Sequence, residues 1–431
     1  MFPVYDIVLH LALVAALPYF LVRGLRDPRF LRGWRERLGR LPAATNPHGM
    51  TGIWIQAVSV GEVLLARTLM NAIRDSRPDV RFYLSTTTIT GRGMAENLPA
   101  RRADALLFFP LDLPWALRRT LDRLRPALFV AMETEIWPNL LRSLARREIP
   151  AIIVNGRISP EAYPRYRRGR FFFRRVLRFL DLALMQTQDD AARLISLGMP
   201  KERVQVTGNL KFDTARPEPE DTSLPETLGI APDEMVFIAG STLAGEEEAA
   251  LEAFEAASKG CARPLLILAP RHPPRFDDVA RLLERRGVPW VRRSLLPGAS
   301  RPDRRVILLD SLGELAPLYS RGRVIFVGGS LVPRGGHNIL EPAARARPVI
   351  FGPHMENFRE MADSMIRGGG GFQVSTTAEL GEMMSKLAQD EVLFRRSGEA
   401  ARAVVESNRG ALERTLKHLD PYLRRFARAS C

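Results

Sequence analysis

At 431 residues the chain is longer than one hydrophobic core usually organises, and two domains of roughly 200 residues each are expected. An apolar content of 46% with 26% charged residues excludes disordered and disulfide-rich classes. The two cysteines, Cys261 and Cys431, offer neither a disulfide framework nor zinc-ligand spacing and fit a reducing, cytoplasmic setting. The net charge of +15 draws the molecule to polyanions, whether nucleic acid, anionic lipid or a phosphorylated substrate, without choosing among them.

Residues 7–22 are mostly apolar and are followed at once by Arg23, Arg26, Arg29, Arg32, Arg35 and Arg37. That order predicts a membrane anchor; a cleaved signal peptide is not expected, because no basic residue precedes the apolar run and the arginines follow it. The stretch is short for a spanning helix and contains His10 and Pro18, so it either spans or lies in the interface; the plainer reading is a buried core helix. If it spans, the arginines hold the rest of the chain in the cytoplasm.

From residue 53 onward short apolar runs alternate with polar loops and helical patterns. The runs are 53–58, 80–85, 106–109, 127–132, 151–154, 182–185 and 204–207, which predicts a parallel, doubly wound sheet. A seam rich in proline and acid, DTARPEPEDTSLPE at 213–226, reads as a linker. The pattern resumes at 236–239, 265–269, 306–309, 324–327 and 349–351, giving a second sheet. A helical stretch at about 391–428, expected to break near Pro421, closes the chain. The expected divisions are an anchor at 1–25, a first Rossmann-like domain at 26–212, a linker at 213–230, a second domain at 231–400 and a C-terminal helix at 401–431. No G-x-G-x-x-G fingerprint is present, which argues against a dinucleotide oxidoreductase.

Ligands of open parallel sheets bind beyond the carboxyl ends of the strands, and the unusual residues fall there. SVGE at 59–62 follows the first run. Ser59 and Glu62 have capping-box spacing, yet a carboxylate at this junction also suits a general base, with Gly61 giving a substrate access to the backbone. METEIWPN at 132–139 sets Glu133 and Glu135 beside Trp137, a polar site against an apolar wall, or else a turn with solvated acids. The loops TTTITG at 86–91, NGR at 155–157 and GNLK at 208–211 add the Thr88 hydroxyl, Arg157 and Lys211.

In the second half, AGST at 239–242 with Glu246, PRHP at 270–273 and VGGS at 327–330 end successive strands. GGHNILEP at 335–342 is the most informative, because glycines before a helix expose amides to a phosphate and Glu341 suits ribose hydroxyls. Asn338 and Glu341 again have capping-box spacing. The six histidines show no metal-ligand spacing and no Asp-x-Asp pair follows a strand, so Arg271 and Lys211 are expected to neutralise a leaving phosphate without a metal. The run YPRYRRGRFFFRRVLRF at 163–179 suits single-stranded bases or anionic lipid, with a solvated helix as the plain reading; beside an anchor, lipid is favoured over nucleic acid.

Taken together, SVGE, TTTITG, PLD at 110–112, METEIWPN, GNLKFD at 208–213, APRH at 269–272 and GGHNILEP resemble, in order and spacing, the 3-deoxy-D-manno-octulosonic acid (Kdo) transferases of lipopolysaccharide biosynthesis. Gln56 stands where that family often has histidine. The resemblance implies a GT-B fold: two Rossmann-like doubly wound domains facing across a cleft, behind an N-terminal membrane-anchor helix. It implies an inverting, metal-independent glycosyltransferase without cofactor. Kdo would move from CMP-Kdo to a lipid A precursor (lipid IVA), on the cytoplasmic side of the inner membrane and at an anionic lipid surface. By motif, Glu62 becomes the general base and Glu133 serves the acceptor or Kdo side. Lys211, Ser241, Thr242, Arg271, His272, Gly329, Gly336, Asn338 and Glu341 become donor-binding, and Ser59, Gly61, Thr88 and Arg157 acceptor-binding. Another GT-B enzyme, a sugar-nucleotide epimerase or a basic adaptor remain as alternatives.

Overall fold

The computed structural model describes residues 1–26, 32–97, 103–215, 223–296 and 305–427. Arg29 of the basic flank, residues 216–222 of the expected linker and the last four residues lie outside that set. The chain divides into two compact units, residues 1–214 with 409–431, and residues 215–408.

The first unit is a seven-stranded parallel sheet of β1 Gly52–Gln56, β2 Phe82–Thr86, β3 Ala105–Phe108, β4 Pro126–Met132, β5 Ala151–Gly156, β6 Leu182–Met185 and β7 Val204–Val206. The spatial order is β3-β2-β1-β4-β5-β6-β7, so the winding direction reverses between β1 and β4. Helices on both faces bury both sides of each strand, which is why these strands read as unbroken apolar runs. In β1, Ile53 and Ile55 pack with Leu69 and Val130 on one face, and Trp54 packs with Phe129 and Leu117 on the other. The buried Trp54 indole donates to Ser85 Oγ at 2.8 Å, and the Gln56 amide donates to Thr87 Oγ1 at 2.9 Å, fixing the loop after β2.

The second unit repeats the plan with β8 Met235–Thr242, β9 Pro264–Pro270, β10 Trp290–Arg292, β11 Val306–Leu308, β12 Val324–Val327, β13 Val349–Phe351 and β14 Gly371–Gln373. Its order is β10-β11-β9-β8-β12-β13-β14, with the reversal between β8 and β12.

The C-terminal stretch is two helices, Glu391–Asn408 in the second unit and Ala411–Ala427 in the first. The break falls at Gly410, at φ +86°, and not at Pro421, which the second helix contains. Asp213 accepts from the Gly410 and Leu412 amides at 2.8 and 2.7 Å and starts the new helix there. Pro421 is tolerated because the carbonyl it leaves unpaired, four residues back at the exposed Lys417, is on the wet face.

The apolar N-terminus is one helix, Phe2–Arg26, and it is not a core helix. One face lies on the first unit: Tyr5 donates to Asp112 Oδ2 at 3.0 Å, Asn139 Nδ2 donates to Asp6 Oδ1 at 2.6 Å, and Phe20 meets Trp34 edge-on. The other face exposes Val4, Ile7, Val8, Leu11 and Val14, with Leu11 64% and Val14 67% accessible.

Candidate functional site

In the first unit the loops after β1 and β4 flank the point where the winding reverses, the place where parallel sheets hold ligands. Glu62 is in the first turn of helix Val60–Ser76, directly beyond β1. Its Oε2 accepts from the Val58 amide at 2.6 Å and its Oε1 from the Ser59 hydroxyl at 3.0 Å. This is not the reciprocal capping box that the spacing suggests, because the Ser59 side chain caps no amide. Both residues instead aim at one carboxylate. Burial, reinforced by the charge of Glu133, pushes the Glu62 carboxyl up from 4.5 to about 7, against the pull of the Val58 amide and the Ser59 hydroxyl.

Glu133 ends β4 with φ +57°, a left-handed backbone that a non-glycine residue adopts at a cost. Its amide is held by the Val154 carbonyl at 2.9 Å, and Oε1 lies 4.0 Å from Lys211 Nζ. Lys211, expected at the donor, is thus in the first unit beside Glu133. Glu135 accepts from the Trp137 indole at 2.7 Å and is held above the usual carboxylate range by burial; Trp137 stacks near Phe109 at 5.3 Å. Glu135 thus lies against the Trp137–Phe109 wall, while Glu133 faces Lys211.

The remaining first-half residues divide. Arg157 is brought in through its backbone, whose amide donates to Thr134 Oγ1 at 3.0 Å. Thr88 is committed to structure: its hydroxyl donates to the Val58 carbonyl at 2.8 Å and accepts from the Gly91 amide at 3.0 Å. Around Gly61 a Cβ would meet nothing within 4 Å, so the space over this turn is open.

In the second unit, Arg271 and His272 are exposed at the end of β9, and the Arg271 amide donates to the Thr242 carbonyl at 3.0 Å. Thr242 is fully buried, whereas Ser241 at φ +56° is the bulged residue that interrupts the register of β8 just before it. Gly335 and Gly336 have φ of +88° and +75°, a conformation only glycine holds without strain. The helix beyond them, Leu340–Ala343, has four residues and starts later than the sequence suggests. Asn338 is not its capping-box partner. Its Oδ1 accepts from the Leu340 amide at 3.1 Å and its Nδ2 donates to Glu341 Oε1 at 3.0 Å. Burial raises the Glu341 carboxyl above its ordinary range, opposed by Asn338, Arg345 and Arg271. Two amides expected to face a phosphate are already taken: Gly336 donates to the Gly329 carbonyl at 2.8 Å and Gly329 donates to Glu246 at 2.6 Å.

Three further residues belong to this cluster. His337 is held neutral, its ring pushed down to about 4 by burial beside Arg271 and His272. Tyr319 is buried with its hydroxyl 2.4 Å from where a Gly240 Cβ would stand, and Glu341 adds to the burial that raises its phenol. Glu246 joins loops from two strands. Tyr319 carried no sequence signal, His337 stood inside a singled-out motif, and Glu246 was singled out with the AGST loop, though nothing in the sequence told which amides it would bond. Among the described residues no group of three or more His, Cys, Asp or Glu side chains is gathered as metal ligands.

Residues 32–214 match the family model for 3-deoxy-D-manno-octulosonic-acid transferase (kdotransferase). A 3-deoxy-D-manno-octulosonic acid transferase of Haemophilus influenzae is 36% identical over 93% of this chain and 94% of its own length. The chain belongs to the Kdo transferase family. A further transferase so named, from Bordetella pertussis, is 34% identical over 90% of this chain and 91% of its own. Solved structures place this Kdo transferase in the GT-B-like class: S. aureus MnaA with UDP has a TM-score of 0.56 at 15% identity, covering 87% of this chain and 97% of that one. The UDP-GlcNAc 2-epimerase of Neisseria meningitidis gives 0.51 at 15%, covering 83% and 99%. At those identities the two share the fold alone with this chain, which by its family is a glycosyltransferase.

Proposed function

We propose that this Kdo transferase moves Kdo from CMP-Kdo to a hydroxyl of a lipid A precursor such as lipid IVA, with inversion at the anomeric carbon and Glu62 as general base. The observation that carries this reading is the Glu62 carboxyl itself. It sits at the winding reversal of the first sheet, and with its pKa at about 7 it is matched to taking a proton near neutral pH. Glu62 takes the proton of the acceptor hydroxyl as its oxygen bonds to the anomeric carbon, and the bond from that carbon to the CMP phosphate oxygen breaks with the electron pair leaving on CMP. A single displacement forms no glycosyl-enzyme intermediate and needs one carboxylate.

Glu133 and Lys211 serve the acceptor or Kdo side, the lysine offering a cation to the sugar's carboxylate. The second unit holds CMP. Glu341 accepts from ribose hydroxyls, and Arg271 with the Gly335–Asn338 turn neutralises the leaving phosphate without a metal. The N-terminal helix lies in the cytoplasmic face of the inner membrane, its outer apolar face in lipid, with Arg23 and Arg26 at its end drawn to anionic headgroups and to the phosphorylated acceptor. The tether of Tyr5 and Asp6 to the first unit favours this over a spanning helix.

Glu62→Gln is the test. With CMP-Kdo and lipid IVA saturating, transfer falls at least about a hundredfold, the scale of a lost general base, while calorimetric CMP affinity is unchanged. A folded variant retaining transfer rejects Glu62 as the base.

A further inference from the structure

The reversal point of the second sheet, between β8 and β12, is where a nucleotide-binding sheet of this kind offers backbone amides to phosphate. Here those amides already face an anion. Gly329 and Leu243 donate to Glu246 Oε2 at 2.6 and 2.9 Å, and Ser330 and Leu331 donate to Oε1 at 2.9 Å each. Glu246 has no accessible surface. Gly328 has no room for a side chain, since a Cβ there would stand 2.7 Å from Glu246 Oε2.

We propose that Glu246 is a positioning residue whose carboxylate permanently occupies this amide nest, so that the donor phosphate binds elsewhere, against Arg271 and the Gly335–Asn338 turn. The second half of this statement rests on the second unit being the donor domain. A carboxylate with four amide donors leaves no vacant donor for a phosphate and repels a second anion at contact distance. The nest also sets the neighbouring loops. The Gly329 carbonyl holds the Gly336 amide at 2.8 Å, and the His337 ring lies where a Gly329 Cβ would be, 2.7 Å away. Ser330 Oγ accepts from the Gly352 amide at 2.8 Å. One buried charge thereby fixes the ends of β8 and β12 and props the glycine turn that faces the donor.

Hydrogen–deuterium exchange, followed by mass spectrometry on overlapping peptides across 327–339 of the full-length enzyme, decides between a permanent and a displaceable carboxylate. In the ligand-free enzyme the amides of 329–331 exchange at least about a hundredfold slower than in an unstructured chain. Added CMP changes exchange at 335–338 and not at 329–331. Fast exchange at 329–331 without ligand, or protection that appears there only with CMP, overturns the proposal. Protection at 329–331 without any CMP binding supports the nest and rejects the donor reading. In Glu246→Gln, CMP binding weakens about tenfold or more while KM for the acceptor stays put, and Glu246→Asp recovers part of the loss. Unchanged or tighter CMP binding by folded Glu246→Gln identifies the carboxylate as a placeholder that phosphate displaces, and overturns the proposal. Should that variant not fold, the exchange of the wild-type enzyme decides alone.

Discussion

The Glu62 carboxyl is charged with reluctance, and this has two separable consequences. A base with a pKa of about 7 gives kcat/KM an acid limb near pH 7, and Glu133→Gln moves that limb to lower pH by removing the neighbouring like charge. A pH–rate profile of both proteins measures it, and an unmoved limb contradicts the coupling. Stability follows the same shift with a defined sign. The folded-state pKa exceeds the ordinary 4.5, so the stabilisation tied to the protonated form is complete below pH 4.5 and is lost as pH rises through about 7. The melting temperature of Glu62→Gln therefore gains on that of the wild type between pH 5 and pH 8. At the donor side, Glu341→Ala weakens CMP binding about ten- to a hundredfold, as a charge-assisted hydrogen bond of about 1.5–3 kcal/mol is lost. Calorimetric titration alongside thermal unfolding separates this from a purely structural role, in which CMP affinity is unchanged. The sequence exposed Glu62, Glu133 and Glu341 through motif position. It did not expose what each bonds to, because Ser-x-x-Glu and Asn-x-x-Glu spacing is the same whether the side chains cap a helix or grip one another.

At the scale of elements, the PLD aspartate explains how the N-terminal helix is held. Asp112 accepts from the Asn139 and Leu140 amides at 3.0 and 2.8 Å and from Tyr5 of that helix. Asp112→Ala strands the start of the helix Pro138–Ala145 as well as the tyrosine and costs about 2–4 kcal/mol, whereas Tyr5→Phe costs about 0.5–1.5 kcal/mol. Tryptophan fluorescence during urea unfolding follows this, because Trp34, Trp54, Trp115 and Trp137 are in the first unit and Trp290 alone is in the second. Equal losses in the two variants contradict the assignment of Asp112 to two elements at once. All seven strands of the first sheet were legible as apolar runs, and so were five of the second. The missing two, β10 and β14, are three-residue edge strands that end on Arg292 and Gln373 and lack the paired Val or Ile residues that mark the equally short β7, β11 and β13. The misplaced helix break has a comparable cause: a proline is visible in sequence, while a glycine at φ +86° capped by a distant aspartate is not.

At the scale of the molecule, the charge of +15 and the outward apolar face of the N-terminal helix are what the proposed anionic, lipid-bound acceptor requires of its enzyme. The family and the two-domain fold were legible because motif order survives where individual spacings are ambiguous. The chain's crossing back to complete the first unit was not, since helix 411–427 follows the second sheet in sequence and packs with the first in space. The most direct measurement is mass spectrometry of lipid IVA incubated with the full-length protein and freshly made CMP-Kdo, with excess EDTA in a parallel reaction. The account predicts a glycolipid heavier by one or more Kdo residues, formed at nearly the same rate with and without EDTA. Unmodified lipid IVA after CMP-Kdo has been consumed, or product that forms only with an added divalent ion, would contradict it.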